Sequence, residues 1–187
     1  MLNPNGGNIG IGTASPGQKL SVAGTIESTT GGIKFPDGQT QTVAVRQLGT
    51  LLSNSVDQAV SYNAWATLTW DTEEEDYGNF HSAVNPTRIT VPAGAGGLYL
   101  VCHHVFWADN VNGARVTMLR LNGSQNVLRM SSTQQAITGW YTMNSSCGRL
   151  RLNEGDYLEV RVCQLSGGSL NVNKDGTGFS LTFLPGQ

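Results

Sequence analysis

Residues 98–107, LYLVCHHVFW, are apolar on both faces of a strand apart from His103 and His104. Tyr99, Val101, Val105 and Trp107 share one face, and Leu98, Leu100, Cys102 and Phe106 share the other, because successive strand side chains point to opposite sides. A strand that is apolar on both faces is covered on both faces. In a two-sheet sandwich the partner sheet covers one of them, so the pattern predicts that the second face is buried against another subunit. Further strands are predicted near 60–70, 87–91, 115–121, 126–132, 137–152, 157–165 and 178–184. They are separated by turn-forming stretches such as Pro92 to Gly97, Asn122-Gly123 and Asn153 to Asp156. Eight short strands joined by hairpin signals predict an all-β sandwich or jelly roll over residues 58–187.

The first 45 residues follow another pattern. Short alternating runs (Asn8 to Ile11, Lys19 to Val22, Gly31 to Phe35) are separated by Gly and Pro. None is long enough to bury its own apolar face, and three such runs do not make an independent sheet. Pairing with copies of the same chain is the expected solution, with Ile9, Ile11, Leu20, Val22, Ile26 and Ile33 turned toward a shared axis. Between the two regions, Leu48, Leu51, Leu52 and Val56 recur at helical spacing, which predicts a linker or a short helix over 46–57.

Composition narrows the function classes. Eleven Lys and Arg against 13 Asp and Glu, a net charge of −2, give no basic field for nucleic acid. No apolar run approaches the length that crosses a bilayer. The opening Met1-Leu2-Asn3-Pro4 has neither a basic start nor an apolar stretch, so synthesis in the cytoplasm without a signal peptide is expected. Cys102, Cys147 and Cys163 form no C-x-x-C pair. Cys102 and Cys163 sit in apolar strands and read as small buried side chains of a reducing compartment. No G-x-S-x-G, H-E-x-x-H or P-loop is present, so an enzyme is not expected.

Two resemblances sharpen this reading. NIGIGTASPGQKLSVAGTI followed by GGIKFPDGQTQT, residues 8–42, resembles the stalk segment of phage tail fibres and related bacterial fibre proteins. VPAGAGGLYLVCHHVFW, RVTMLRLNG, LRLNEGDYLEVRV and GTGFSLTFL resemble the globular head shared by complement C1q and tumour-necrosis-factor proteins, through its phage and bacterial relatives. The second resemblance covers residues 60–185. It implies a ten-strand jelly roll, a tight homotrimer and recognition without catalysis. It also implies that Tyr99 is a core residue. Leu98, Leu100, Cys102, His104 and Phe106 are therefore expected at the trimer interface.

The expected function is that of a trimeric tail-fibre or receptor-binding protein of a phage or phage-derived particle. Its stalk would dock on tail or baseplate proteins and its head would recognise a host-surface glycan or protein. The alternatives are a purely structural trimerisation or decoration protein and a fibre-borne glycan hydrolase. Strand parity places the loops 108–114, 133–136 and 166–177 at the end far from the stalk. Asp109, Asn110, Asn112, Gln134, Asn171, Asn173, Lys174 and Asp175 are the ligand-binding candidates there, with Glu73 to Asp76 nearby. Amides and carboxylates on exposed loops suit sugar hydroxyls. No metal or cofactor is expected. Calcium is the alternative reading of the acidic run, with Glu73, Glu75 and Asp76 as its oxygen ligands, but the run lacks the spacing of a calcium loop and reads as a solvated loop. His103 and His104 point to opposite faces and cannot chelate one metal within a subunit. A hydrogen-bonded interface histidine is expected. Glu154 and Asp156 are explained by their turn.

Overall fold

The computed structural model describes residues 7–38, 40–41, 47–136 and 139–185, without the side chains of Leu128 and Arg129. The opening Met1 to Pro4, positions 39 and 42 of the stalk motif and the start of the strand expected at 137–152 lie outside the described residues. Contacts divide the chain into two compact units, Met1–Val45 and Arg46–Gln187.

In the first unit, β1 (Ile9–Ile11) and β2 (Leu20–Val22) pair in parallel, with Ile9 opposite Leu20 and Ile11 opposite Val22. β3 (Ile33–Lys34) and β4 (Thr40–Gln41) pair antiparallel. Within one chain the short runs pair with each other. These ladders are two and three residues long, and Ile11, Leu20, Ile26, Ile33 and Phe35 all remain exposed.

The second unit is a two-sheet sandwich with no helix among the described residues. Its strands are β5 (Gly49–Ser53), β6 (Gln58–Val60), β7 (Ala66–Thr67), β8 (Thr72–Tyr77), β9 (Ile89–Thr90), β10 (Gly97–Trp107), β11 (Ala114–Leu121), β12 (Gln125–Gln135), β13 (Thr142–Leu152), β14 (Tyr157–Gln164), β15 (Leu170–Val172) and β16 (Gly178–Phe183). The first sheet runs β6-β15-β10-β16-β5-β8, with β13 on the free side of β10. The second runs β12-β11-β14-β7, with β9 beside β14. The chain crosses from β10 to β11, from β12 to β13, from β13 to β14 and from β14 to β15, each time changing sheet. That winding makes the sandwich a jelly roll.

Period-2 alternation builds the core. On β14, Leu158, Val160 and Val162 are fully buried while Tyr157, Glu159 and Arg161 face out. On β10, Tyr99, Val101, Val105 and Trp107 fill the space between the sheets with Trp70, Phe80 and Phe179. Tyr99 makes edge-to-face contacts with Phe80 and Phe183, at 5.8 and 5.4 Å between ring centroids, and its hydroxyl donates to the Ala95 carbonyl. Each such ring pair adds about 0.5–1.5 kcal/mol beyond its buried area. Trp107 Nε1 donates to Asn144 Oδ1 at 2.9 Å, and Asn144 Nδ2 donates to the Arg115 and Ser132 carbonyls. This buried amide ties β13 of one sheet to β11 and β12 of the other.

Three elements depart from the sequence reading. The apolar spacing taken for a helix at 46–57 is strand β5, which pairs with β16 and belongs to the sandwich. The strand expected over 60–70 is interrupted at Tyr62 to Trp65, where Asn63 turns the backbone at φ 52°, leaving the short β6 and β7. The acidic run 71–76 is not a loop: residues 72–77 form edge strand β8, paired with β5. Charged side chains suit a strand whose outer edge meets solvent.

Candidate receptor-binding surfaces

The outward face of the first sheet is the first candidate surface. β10 presents Leu98, Leu100, Cys102, His104 and Phe106 there, and the antiparallel register with β13 sets Arg151, Arg149, Cys147, Ser145 and Met143 opposite them. Cys102 and Cys147 are joined by a disulfide, which corrects the reading of Cys102 as an unpaired buried thiol. Only Cys163 stays free and buried. Phe106 packs on Tyr141 with ring centroids 5.0 Å apart. Around them Leu100 is 39% exposed, Met143 52%, Tyr141 58% and Trp140 72%. Phe106, Met143 and Tyr141 gather at one end of this face, while Leu100 stands further along it between Arg149 and Thr182. Apolar side chains of this size left open to water above a sealed core mark an interaction surface.

His103, on the core face of β10, lies wholly inside the sandwich, and neither ring nitrogen has a hydrogen-bond partner. Burial, with a smaller contribution from His104, holds its pKa down at about 4. His104 is half-buried on the outward face, and burial lowers its pKa too.

The second surface is the end of the sandwich opposite Leu48, where the chain enters it. Strand direction settles the geometry. Gly49 and Thr182 are register partners at one end, and Trp107, Thr142 and Val172 meet at the other. The 108–113 connection at this end is held from below by Arg115, whose buried guanidinium donates to the carbonyls of Asn110 (3.0 Å), Asn112 (2.8 Å) and Ala114 (3.3 Å). Asn110 Oδ1 also accepts the Asn112 N–H. Asp109, Asn110 and Asn112 are thereby fixed on one loop. The Ala136 N–H donates to the Gly113 carbonyl, bringing Gln134 beside them, although Gln134 stands on strand β12 and not in a loop. Asn171 likewise stands on strand β15. Its carbonyl accepts from Ala108, and the Asn173 N–H donates to Phe106, so the segment carrying Asn171, Asn173, Lys174 and Asp175 adjoins the 108–113 loop. All eight candidates share this end.

Sequence reasoning missed the aromatic part of the same end. Tyr62 bridges to Gln164, and Trp65 lies under the Arg161 guanidinium at 5.4 Å; both rings are exposed, as are Val111 and Leu165. The signal was available in the YNAW stretch, whose Asn favours the left-handed turn that lifts the rings out.

Two of the three acidic candidates already have partners within the chain. Glu73 pairs with His81 Nδ1 at 2.7 Å, and both oxygens of Asp76 accept backbone N–H groups, from Phe80 and His81. Among the described residues no cluster of three His, Cys, Asp or Glu could hold a metal ion. The calcium reading therefore loses two of its three ligands.

No protein-family model and no curated protein sequence matches the chain. Solved structures do. Murine APRIL, in a crystal structure at pH 8.0, superposes with a TM-score of 0.57 at 17% identity, over 74% of this chain and 100% of that one. Eiger TNF from S. frugiperda superposes with a TM-score of 0.56 at 16% identity, over 76% of this chain and 99% of that one. The head therefore has the fold of the tumour-necrosis-factor jelly rolls.

Proposed function

We propose that the chain is a homotrimeric receptor-binding protein, of the tail-fibre kind, carried by a phage or phage-derived particle. The N-terminal unit attaches it to tail or baseplate proteins. The head recognises a host-surface ligand, a glycan or a protein, through the end of the sandwich opposite Leu48, and it does so without catalysis. The observation that carries the reading is the open apolar patch of Phe106, Tyr141 and Met143, with exposed Leu100 further along the same face, above a sealed core. A second copy of the chain is the natural cover for such a face, because each copy brings the same patch and the same need. The exposed isoleucines of the N-terminal unit carry the same argument for the stalk, and the motif at residues 8–42 supports the fibre assignment. The particle assembles from protein made in the bacterial cytoplasm and exposes this chain outside.

The test is immunogold electron microscopy of particles purified from cells that make the protein, with an antibody to the head. Gold at the ends of tail fibres is the expected result. Particles that carry fibres but no gold, with the protein left in the soluble fraction, would overturn the assignment.

A further inference from the structure

We propose that a polar cavity between β5, β8, β10 and the turn before β16 binds one uncharged sugar residue; this deepens the receptor-binding reading and rests on it. The cavity measures about 350 Å³, inside the roughly 300–1,000 Å³ range of small-molecule sites. Leu51, Ser53, Glu74, His104, Lys174 and Asp175 line it, contributed by four separate stretches of chain.

The fold aims these groups. Leu51 is opposite Glu75 and Leu52 is opposite Glu73, so Glu74 is the extra residue of a β-bulge. Bulges re-aim a side chain and recur beside functional sites. Here the bulge separates Glu74 from Glu73, which is committed to His81, and Glu74 lines the cavity. His104 supplies the floor. Its ring lies over Gly178, where an added Cβ would sit 2.9 Å from Nε2 and 3.1 Å from Cε1. The opposite rim is a fixed turn. The Lys174 N–H donates to Asp57 Oδ1 (2.9 Å), the Thr177 N–H to the Lys174 carbonyl (3.3 Å), and the Phe106 N–H to Thr177 Oγ1 (3.0 Å). Yet the side chains of Glu74, His104, Lys174 and Asp175 make no hydrogen bond or ion pair within the described chain. Four polar side chains line the cavity from hydrogen-bonded backbone without a partner among the described residues.

Their chemistry selects the ligand. Two carboxylates accept, one ammonium donates, and an imidazole kept neutral by burial offers one donor and one acceptor. That set matches neighbouring hydroxyls, each of which donates and accepts. Leu51 adds an apolar wall for the C–H face of a sugar ring. Glu74 and Asp175 against Lys174 leave one net negative charge, which disfavours sialic acids, sulfated sugars and phosphates.

The experiment is a glycan array probed with the full-length protein, followed by calorimetric titration of each hit as its methyl glycoside. At least one neutral hexose or N-acetylhexosamine is expected to bind. Glu74→Gln and Asp175→Asn, both at exposed positions, are each expected to weaken it about tenfold, the loss of one hydrogen bond to a charged group. Gly178→Ala, which pushes His104 into the cavity, is expected to weaken it as well. The trimer mass should stay unchanged in the two carboxylate variants. Binding only by anionic glycans, or displacement by spermidine in place of any sugar, would overturn the proposal. So would neutral-sugar binding that survives the two carboxylate changes but is lost with Asn110→Ala or Asn171→Ala, an outcome that keeps the receptor-binding reading and moves its site. An array silent for neutral sugars, from a protein that immunogold places on fibres, would also overturn the cavity and leave the fibre assignment standing.

Discussion

Leu100 and Val101 are neighbours on β10 with opposite surroundings. Val101 is fully buried between the sheets, while Leu100 faces out beside Arg149. An aspartate at 101 would bury an unpaired charge, at a cost of several kcal/mol. Val101→Asp is therefore expected to unfold the head, seen as loss of the cooperative thermal transition. Leu100→Asp is expected to keep that transition and lose the trimer, because it sets three like charges in one seam. A Leu100→Asp head of residues 46–187, freed of the N-terminal unit, that still ran as a trimer would show that this face is not the seam. His103 gives a second residue-scale expectation. Its pKa is about 4 in the folded chain against about 6.5 unfolded. As pH falls below about 6.5 the unfolded chain takes up the proton first, so stability is full above that pH, declines toward pH 4 and then levels. The loss is about 3 kcal/mol. His104, also lowered by burial, acts in the same direction. Asp71, lowered chiefly by the Ser55 hydroxyl, acts only below pH 3.8. Urea midpoints measured from pH 7 to 4 should fall for the wild type and fall less for His103→Leu. Equal slopes would contradict the buried, unpartnered placement.

At the scale of elements, β10 and β13 are joined by the Cys102–Cys147 bridge as well as by an eleven-residue ladder. Protein oxidised in air and denatured without reductant should expose one alkylatable thiol, Cys163, and three after reduction. Three before reduction would remove the bridge from the account. Gly113 links two connections at the end opposite Leu48. It turns at φ 66°, and an added Cβ would collide with the Leu165 carbonyl. Gly113→Ala is expected to destabilise the head by more than about 1 kcal/mol, measured as a lower urea midpoint. An unchanged midpoint would mean that the two connections do not touch.

These elements also mark what sequence could tell. The alternation in LYLVCHHVFW gave both faces of β10, because strand geometry allows no other assignment once Tyr99 is inside. The TEEEDY strand was hidden, since its charges disfavour strand and its reason for pairing is an edge offered by β5, a partner that no local pattern reveals. The 46–57 segment looked helical because Leu48, Leu51, Leu52 and Val56 fall at helical spacing, and so few apolar positions do not separate helix from strand. The Cys102–Cys147 pairing depends on a register that no spacing encodes. Loop parity placed the eight candidate residues at one end, yet the cavity at His104 was invisible, because it needs a bulge at Glu74 and a glycine at 178 to converge.

The whole molecule is a jelly roll that leaves one apolar face open, preceded by a unit whose isoleucines are open too. A single copy accounts for neither. Burying Leu100 alone stabilises an assembly by roughly 1.5–3 kcal/mol per copy, and the N-terminal unit adds its own exposed apolar side chains. Light scattering on the purified full-length protein, coupled to size exclusion at micromolar concentration, tests this most directly. Three copies of the 19.9 kDa chain should elute as one species of three times that mass, unchanged on dilution. A single species at the mass of one chain would contradict the account.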